Sequence, residues 1–284
     1  MPQMISKSVD PARAVGKDWV AGKYYDDAES DMEKQWSGVV WPIISGSDFS
    51  TILELAPGHG RNTARLLPLA SRVYAVDINQ TNIDFLNQRF AGAGNLVALQ
   101  NDGEELDAID NASITFVYCF DAMVHFDSDV VRSYIKEFRR KMKPGARGFV
   151  HYSAYDKNPT GNYRDHPGWR NFMNRDLFHH WLVKEGFRIL RSEYLAGVLE
   201  FTDKSDNGDI ITDAVTYFEL PGDAPAIEKE LAKSPEATIH QLRRKLQVAD
   251  GANQDLQAHI EMMKGSLSWK LTAPLRWIRD SLGK

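Results

Sequence analysis

The residues placed to do chemistry sit at the ends of short apolar runs. ILELAPGHGRNT (52–63) has an apolar run carrying Glu54, then a turn with Pro57, Gly58 and Gly60. Glycine reaches backbone angles closed to other residues and lets a ligand approach the main chain. An ordinary tight strand-to-helix turn would read the same way. RVYAVD (72–77) ends in Asp77, a carboxylate able to accept both hydroxyl hydrogens of a ribose. After NLVALQ (95–100) come Asn101, Asp102 and Gly103. Asp102 either accepts from an adenine amino group or caps a helix. SITFVYCF (113–120) leads to Asp121 and His125. Histidine can take a proton near neutral pH. His125 is therefore either a general base or a support for the helix expected from Asp127. His151, within RGFVHY, either faces a cleft or donates to a core carbonyl.

Stepping outward, these positions require a sheet that gathers strand ends. The apolar runs 51–56, 72–77, 95–100, 113–120, 147–155, 187–195 and 213–220 predict strands. Helices are expected over 62–69, 81–90, 127–142 and 176–184. In the third of these, Val130, Val131, Tyr134, Ile135, Phe138 and Met142 recur at helical spacing, and Pro144–Gly145 is a stop signal. Asn207–Gly208 is a hairpin signal. The alternation predicts an α/β fold: a doubly wound, mostly parallel seven-stranded sheet with an antiparallel edge strand. Such sheets bind ligands at the carboxyl ends of their strands.

With these motifs the chain resembles the class I S-adenosylmethionine-dependent methyltransferases over about residues 49–195. ELAPGHGRN matches their glycine-rich first motif and VDIN their acidic second-strand tip. LQNDGEEL resembles the adenine segment, FVYCFDAMVHF the fourth strand, and KPGARGFVHY the fifth. Ala56 departs from the usual first glycine. A dinucleotide-binding oxidoreductase is the competing enzyme class, but Thr63 stands where its third glycine belongs. The resemblance implies S-adenosylmethionine as cofactor. Glu54, Gly58 and Gly60, with Ala56 and Asn62 beside them, would surround its methionine part. Asp77 would bind ribose and Ile78 pack on adenine, with Asp102 and Gly103 at the adenine edge. Phe120 and Asp121 would lie near the reactive end. Tyr24, Tyr25 or Trp36 either close the pocket or are core residues of a lid helix. His125 is the leading base, with Asp121 and His151 nearby.

Between the fifth strand and Asp176 lies a polar, aromatic insert. Its Tyr155, Asn158, Tyr163, Arg164, His166, Trp169 and Arg170 either line an acceptor pocket or form a solvated loop. Arginines there would suit a phosphate or carboxylate. No cysteine-rich or HExxH pattern points to a metal.

The whole chain has 284 residues, 43% of them hydrophobic and 26% charged, with a net charge of −5 and one cysteine, Cys119. This excludes a disulfide framework and disfavours nucleic-acid binding. With no apolar signal block, a cytoplasmic location is expected. Domain boundaries fall at 1–48 (lid segment), 49–220 (methyltransferase domain), 221–237 (linker), 238–263 (helical extension) and 264–284 (basic aromatic tail). Ile239, Leu242, Leu246, Ala249, Asn253, Leu256, Ile260 and Met263 step by three and four. That is either a coiled-coil seam giving a homo-oligomer or a helix packed on its own domain. The tail meets either an anionic membrane surface or a protein. Its SWKLTAPLR resembles segments on bacterial enzymes of cell-surface polysaccharide synthesis. The leading acceptor is thus a sugar or glycan hydroxyl. Alternatives are a small-molecule or amine methyltransferase, or a non-catalytic scaffold.

Overall fold

The computed structural model describes residues 24–160, 165–195 and 213–224. The chain divides into two units, Met1–Glu228 and Lys229–Lys284, and every described residue belongs to the first. The expected coiled coil, the tail, Asn207–Gly208, Tyr163 and Arg164 lie outside the described residues.

Seven strands form one sheet: β1 (Thr51–Leu55), β2 (Arg72–Asp77), β3 (Leu96–Gln100), β4 (Ile114–Cys119), β5 (Met142–Ser153), β6 (Arg188–Tyr194) and β7 (Asp213–Glu219). Their order is β3-β2-β1-β4-β5-β7-β6. The first five run parallel, while β7 pairs antiparallel with both β5 and β6. The expected mostly parallel sheet with an antiparallel edge is what forms. Every residue of β4 is buried, as a central strand covered on both faces requires. The chain winds outward from β1 to β3, then returns to β4 on the other side of β1. The switch point therefore lies between β1 and β4, where such folds open a crevice.

Helices α1 (Tyr24–Ser30), α2 (Met32–Gln35) and α3 (Trp41–Ile44) precede the sheet; α4 (Thr63–Leu66), α5 (Gln80–Arg89), α6 (Ser128–Lys141) and α7 (Arg175–Lys184) follow within it. Asp127 caps α6, accepting from the Asp129 amide at 2.9 Å. The expected apolar stripe Val130, Val131, Tyr134, Ile135 and Phe138 is buried. Pro42 sits in the first turn of α3. A wide turn at Trp36–Val40, where the Trp41 amide donates to the Trp36 carbonyl, precedes it and makes room for the ring. Pro144 and Gly145 fall inside β5 rather than before it. Pairing there is irregular, with the register shifting between Ile114 and Phe116, and Gly145 takes φ 85°. A proline is tolerated where the ladder is already interrupted.

Candidate functional site

The carboxyl ends of β1, β2 and β4 open into a cavity of about 910 Å³, its mouth included. One wall is the turn after β1, where Ala56, Gly58 and Gly60 have φ 53°, 56° and 83°. The two glycines serve different ends. A Cβ at Gly58 would stand 2.7 Å from the Tyr25 ring, so its absence lets that ring close on the turn. A Cβ at Gly60 would stand 2.6 Å from Leu86 on α5, so its absence lets the turn pack on that helix.

Asp77 ends β2 inside the cavity. Its carboxylate accepts from the Gly58 amide at 3.2 Å, the Asn79 amide at 2.9 Å and Asn82 Nδ2 at 3.1 Å. Burial raises its pKa against the pull of these donors. Asn82 Oδ1, in the same wall, is buried and accepts no hydrogen bond. Asn101 and Gly103 line the far side, with Asn101 Nδ2 donating to Tyr134 Oη at 2.8 Å. Leu55, Val76, Ile78, Phe126 and Val130 supply apolar wall.

At the opposite end stand Asp121 and His125. Asp121 follows β4 in a left-handed conformation, φ 57°. Arg61 Nη2 donates to its Oδ2 at 2.5 Å. Burial alone would raise the Asp121 pKa, but Arg61, followed by His151 and Arg170, draws it below the usual range. His125 Nδ1 is 2.7 Å from the Trp169 carbonyl oxygen. A carbonyl only accepts, so Nδ1 carries the proton and Nε2 carries a lone pair. Burial, with help from Arg170, lowers the His125 pKa to about 4.

Helix α1 covers the mouth. Tyr25 stacks on His59 at 3.7 Å between ring centres, and His59 stacks on Phe85 at 3.9 Å. Arg61 Nη1 donates to the Ala28 carbonyl at 3.1 Å, and Arg89 pairs with Glu29 at 2.7 Å. Burial, reinforced by Asp77, pushes the Tyr25 hydroxyl to about 12.

Of the residues singled out from sequence, Tyr25, Ala56, Gly58, Asn62, Asp77, Ile78, Gly103, Phe120, Asp121 and His125 line this cavity. Others stand elsewhere. Glu54 is buried behind the turn, accepting from Thr63 Oγ1 at 2.6 Å. Asp102 accepts from the Glu104 and Glu105 amides in a turn, neither lining the cavity nor capping a helix, since none begins there. Trp36 packs on Trp41 and Tyr118 in the core. His151 does not face the cleft. Its Nδ1 accepts from the Asp121 amide at 3.1 Å. In the insert, Tyr155 and His166 pack on each other, and His166 lies between the carbonyls of Asn158 and Arg170. Arg170 is spent on Asp213, and Trp169 reaches the site only through its carbonyl. Arg61, Asn82 and Tyr134 line the cavity without having been singled out as site residues, and Asn79 and Asn101, quoted only within their motifs, line it too. Arg61 had a signal, since it directly follows Gly60. The others belong to helices or loops that only tertiary packing brings round.

Residues 52–145 match the family model for a methyltransferase domain. The protein YqeM of Bacillus subtilis (strain 168), provisionally described as a methyltransferase, is 24% identical over 163 residues. The match covers 54% of this chain and 65% of that relative, just under two thirds of its length. Among solved structures, the [4+2]-cyclase SpnF aligns with TM-score 0.55 and 13% identity over 66% of this chain and 80% of its own. A methyltransferase of Haloferax volcanii in complex with its activator Trm112 aligns at 0.54 and 15%, over 72% and 97%. Geranyl diphosphate methyltransferase in complex with S-adenosylmethionine aligns at 0.52 and 11%, over 68% and 85%. At these identities the likeness is one of fold, and a fold named for a cyclase does not dictate one reaction. Residues 52–145 are thus similar to a methyltransferase domain, the class expected from the sequence together with S-adenosylmethionine as its cofactor.

The site fits that cofactor. Asn82 Oδ1 is a buried acceptor beside Asp77 that a ribose hydroxyl would satisfy. The apolar wall of Leu55, Val76, Ile78 and Val130 suits adenine.

Proposed function

We propose that this protein is an S-adenosylmethionine-dependent methyltransferase acting on a hydroxyl acceptor, with a sugar or glycan as the acceptor class. The observation that carries this reading is the two-ended cavity: Asp77 with the orphaned Asn82 oxygen at one end, Asp121 with His125 at the other. When bound, S-adenosylmethionine supplies a methyl group on positively charged sulfur, open to direct displacement. Asp77 and Asn82 hold the ribose end. Tyr25 closes the mouth and keeps water out. Arg61 fixes the Asp121 carboxylate.

His125 is neutral at working pH, carries its proton on Nδ1 and lines the cavity, where it would orient a hydroxyl. A pKa of about 4 makes it a weak base before reaction. It takes the proton only as the acceptor oxygen gives up electron density to the methyl group, when a charge develops that draws it. A neutral polyol is favoured over a phosphorylated acceptor because Arg170 is committed to Asp213. The SWKLTAPLR likeness supports the glycan class.

The test is calorimetric titration with S-adenosylmethionine and with NAD, followed by transfer of labelled methyl to panels of sugars and amines. Binding of S-adenosylmethionine alone, with label on a sugar, is expected. Binding of NAD alone would move the protein to the oxidoreductases. Label on amines only would sink the hydroxyl assignment.

A further inference from the structure

We propose that Asp213, His151 and Arg170 form a positioning set that holds the acceptor end of the cavity, fixing the backbone of Asp121 and the tautomer of His125. The inference deepens the function proposed above, and its test does not depend on turnover. None of the three lines the cavity, yet His151 bonds directly to Asp121, which does, and Arg170 holds the Gly168 carbonyl next to the Trp169 carbonyl that receives His125. His151 accepts the Asp121 amide hydrogen through Nδ1 at 3.1 Å. Its proton therefore sits on Nε2, which lies 3.3 Å from Asp213 Oδ2, an electrostatic contact out of hydrogen-bond alignment. Asp213 receives Arg170 as a fork, Nε to Oδ1 at 3.0 Å and Nη2 to Oδ2 at 2.6 Å. Arg170 Nη1 donates to the Gly168 carbonyl at 2.7 Å. The next carbonyl, that of Trp169, receives the His125 proton.

Two features separate this from ordinary core packing. First, Asp213, Arg170 and His151 are 6%, 7% and 1% exposed. Buried ion pairs of this kind seldom raise stability over an apolar filling, so their presence calls for another role. Second, the set ends at strained backbone. Asp121 and Trp169 both adopt positive φ, 57° and 56°, without being glycine. Such strain persists where surrounding structure enforces it. The enforcing contacts are the His151 acceptor for Asp121 and the Arg170 fork beside Trp169. Asp213 comes from β7, the strand inserted antiparallel beside β5. The antiparallel strand of the sheet thus reaches the acceptor end through side chains.

The experiment reads the His125 ring by long-range proton–nitrogen correlation in the labelled full-length protein, wild type and variants, with S-adenosylmethionine affinity measured in parallel. Wild type should show one tautomer, with the proton on Nδ1. Asp213→Asn removes the charge that holds Arg170, and the single signature should become a mixture of tautomers while cofactor affinity is retained. Arg170→Lys, a milder change that cannot make the fork, should give the same mixture. His151→Asn keeps an acceptor near Nδ1 and should leave the Asp121 amide resonance close to wild type, whereas His151→Leu should shift it. If folded Asp213→Asn and Arg170→Lys proteins both keep the wild-type His125 signature, the positioning role is wrong. Should Asp213→Asn not fold, the Arg170→Lys spectrum alone decides. Loss of cofactor binding in wild type would overturn the functional reading instead, leaving the tautomer result to be judged separately.

Discussion

Burial pushes Glu54 and His125 toward neutrality from opposite directions. Desolvation lifts Glu54 from 4.5 to about 7, partly countered by the Thr63 hydroxyl. Desolvation lowers His125 from 6.5 to about 4. Unfolded Glu54 releases its proton near 4.5 while the folded residue keeps it to about 7, so this contribution to stability is lost as pH rises between those values. Unfolded His125 binds a proton below 6.5 while the folded residue stays neutral to about 4, so that contribution is lost as pH falls. The two slopes cancel where the windows overlap. Glu54→Gln should leave the His125 slope alone, and denaturant titrations should then show stability falling on acidification by about 1.4 kcal/mol per pH unit. A variant whose pH profile parallels wild type would contradict the burial of Glu54. Asp77 bears on binding instead. Asp77→Asn leaves one oxygen to serve three protein donors and a ribose. Losing a charged acceptor costs about 1.5–3 kcal/mol, so calorimetry should find S-adenosylmethionine affinity reduced roughly 10- to 100-fold. Unchanged affinity would remove Asp77 from the cofactor site.

Among the elements, those with strong periodicity were legible and those defined by partners were not. The α6 stripe and β4, apolar but for Thr115, announce themselves because each is buried by its own pattern. The glycine turn and Asp77 were legible because strand ends converge in a parallel sheet. The insert misled for a physical reason: Arg170 and His166 look like ligand donors until Asp213 and nearby carbonyls are brought to them. Helix α1 was ambiguous for the same reason. Only tertiary structure shows Tyr25 over Gly58 and leaves Trp36 in the core. This placement makes α1 and the turn a matched pair. Gly58→Ala puts a methyl group 2.7 Å from the Tyr25 ring and at φ 56°, a left-handed conformation costing roughly 1–2 kcal/mol for alanine. Tyr25→Ala removes the ring but leaves the turn relaxed. Gly58→Ala should therefore lower both thermal stability and cofactor affinity. Tyr25→Ala should speed cofactor release in stopped-flow displacement with little loss of stability. Equal release rates in wild type and Tyr25→Ala would show that α1 does not cap the site.

At the scale of the whole chain, the described residues that line the cavity all fall between Tyr25 and Tyr134. The first unit extends to Glu228, and the three- and four-residue seam begins at Ile239, in the second. On the coiled-coil reading of the seam, binding and self-association would be carried by separate stretches of sequence. The seam has a polar Asn253 among apolar positions, a device that sets register and oligomeric state at some cost in stability. A chain cut after Glu228 should accordingly bind S-adenosylmethionine with unchanged affinity. Light scattering after size exclusion should find it monomeric where the full chain is an oligomer. The two readouts fail independently. Weakened binding in the cut chain would mean that the second unit completes or supports the cofactor site. A monomeric full-length chain, or a cut chain that still associates, would remove the coiled-coil assignment and leave the seam to a helix packed on its own molecule.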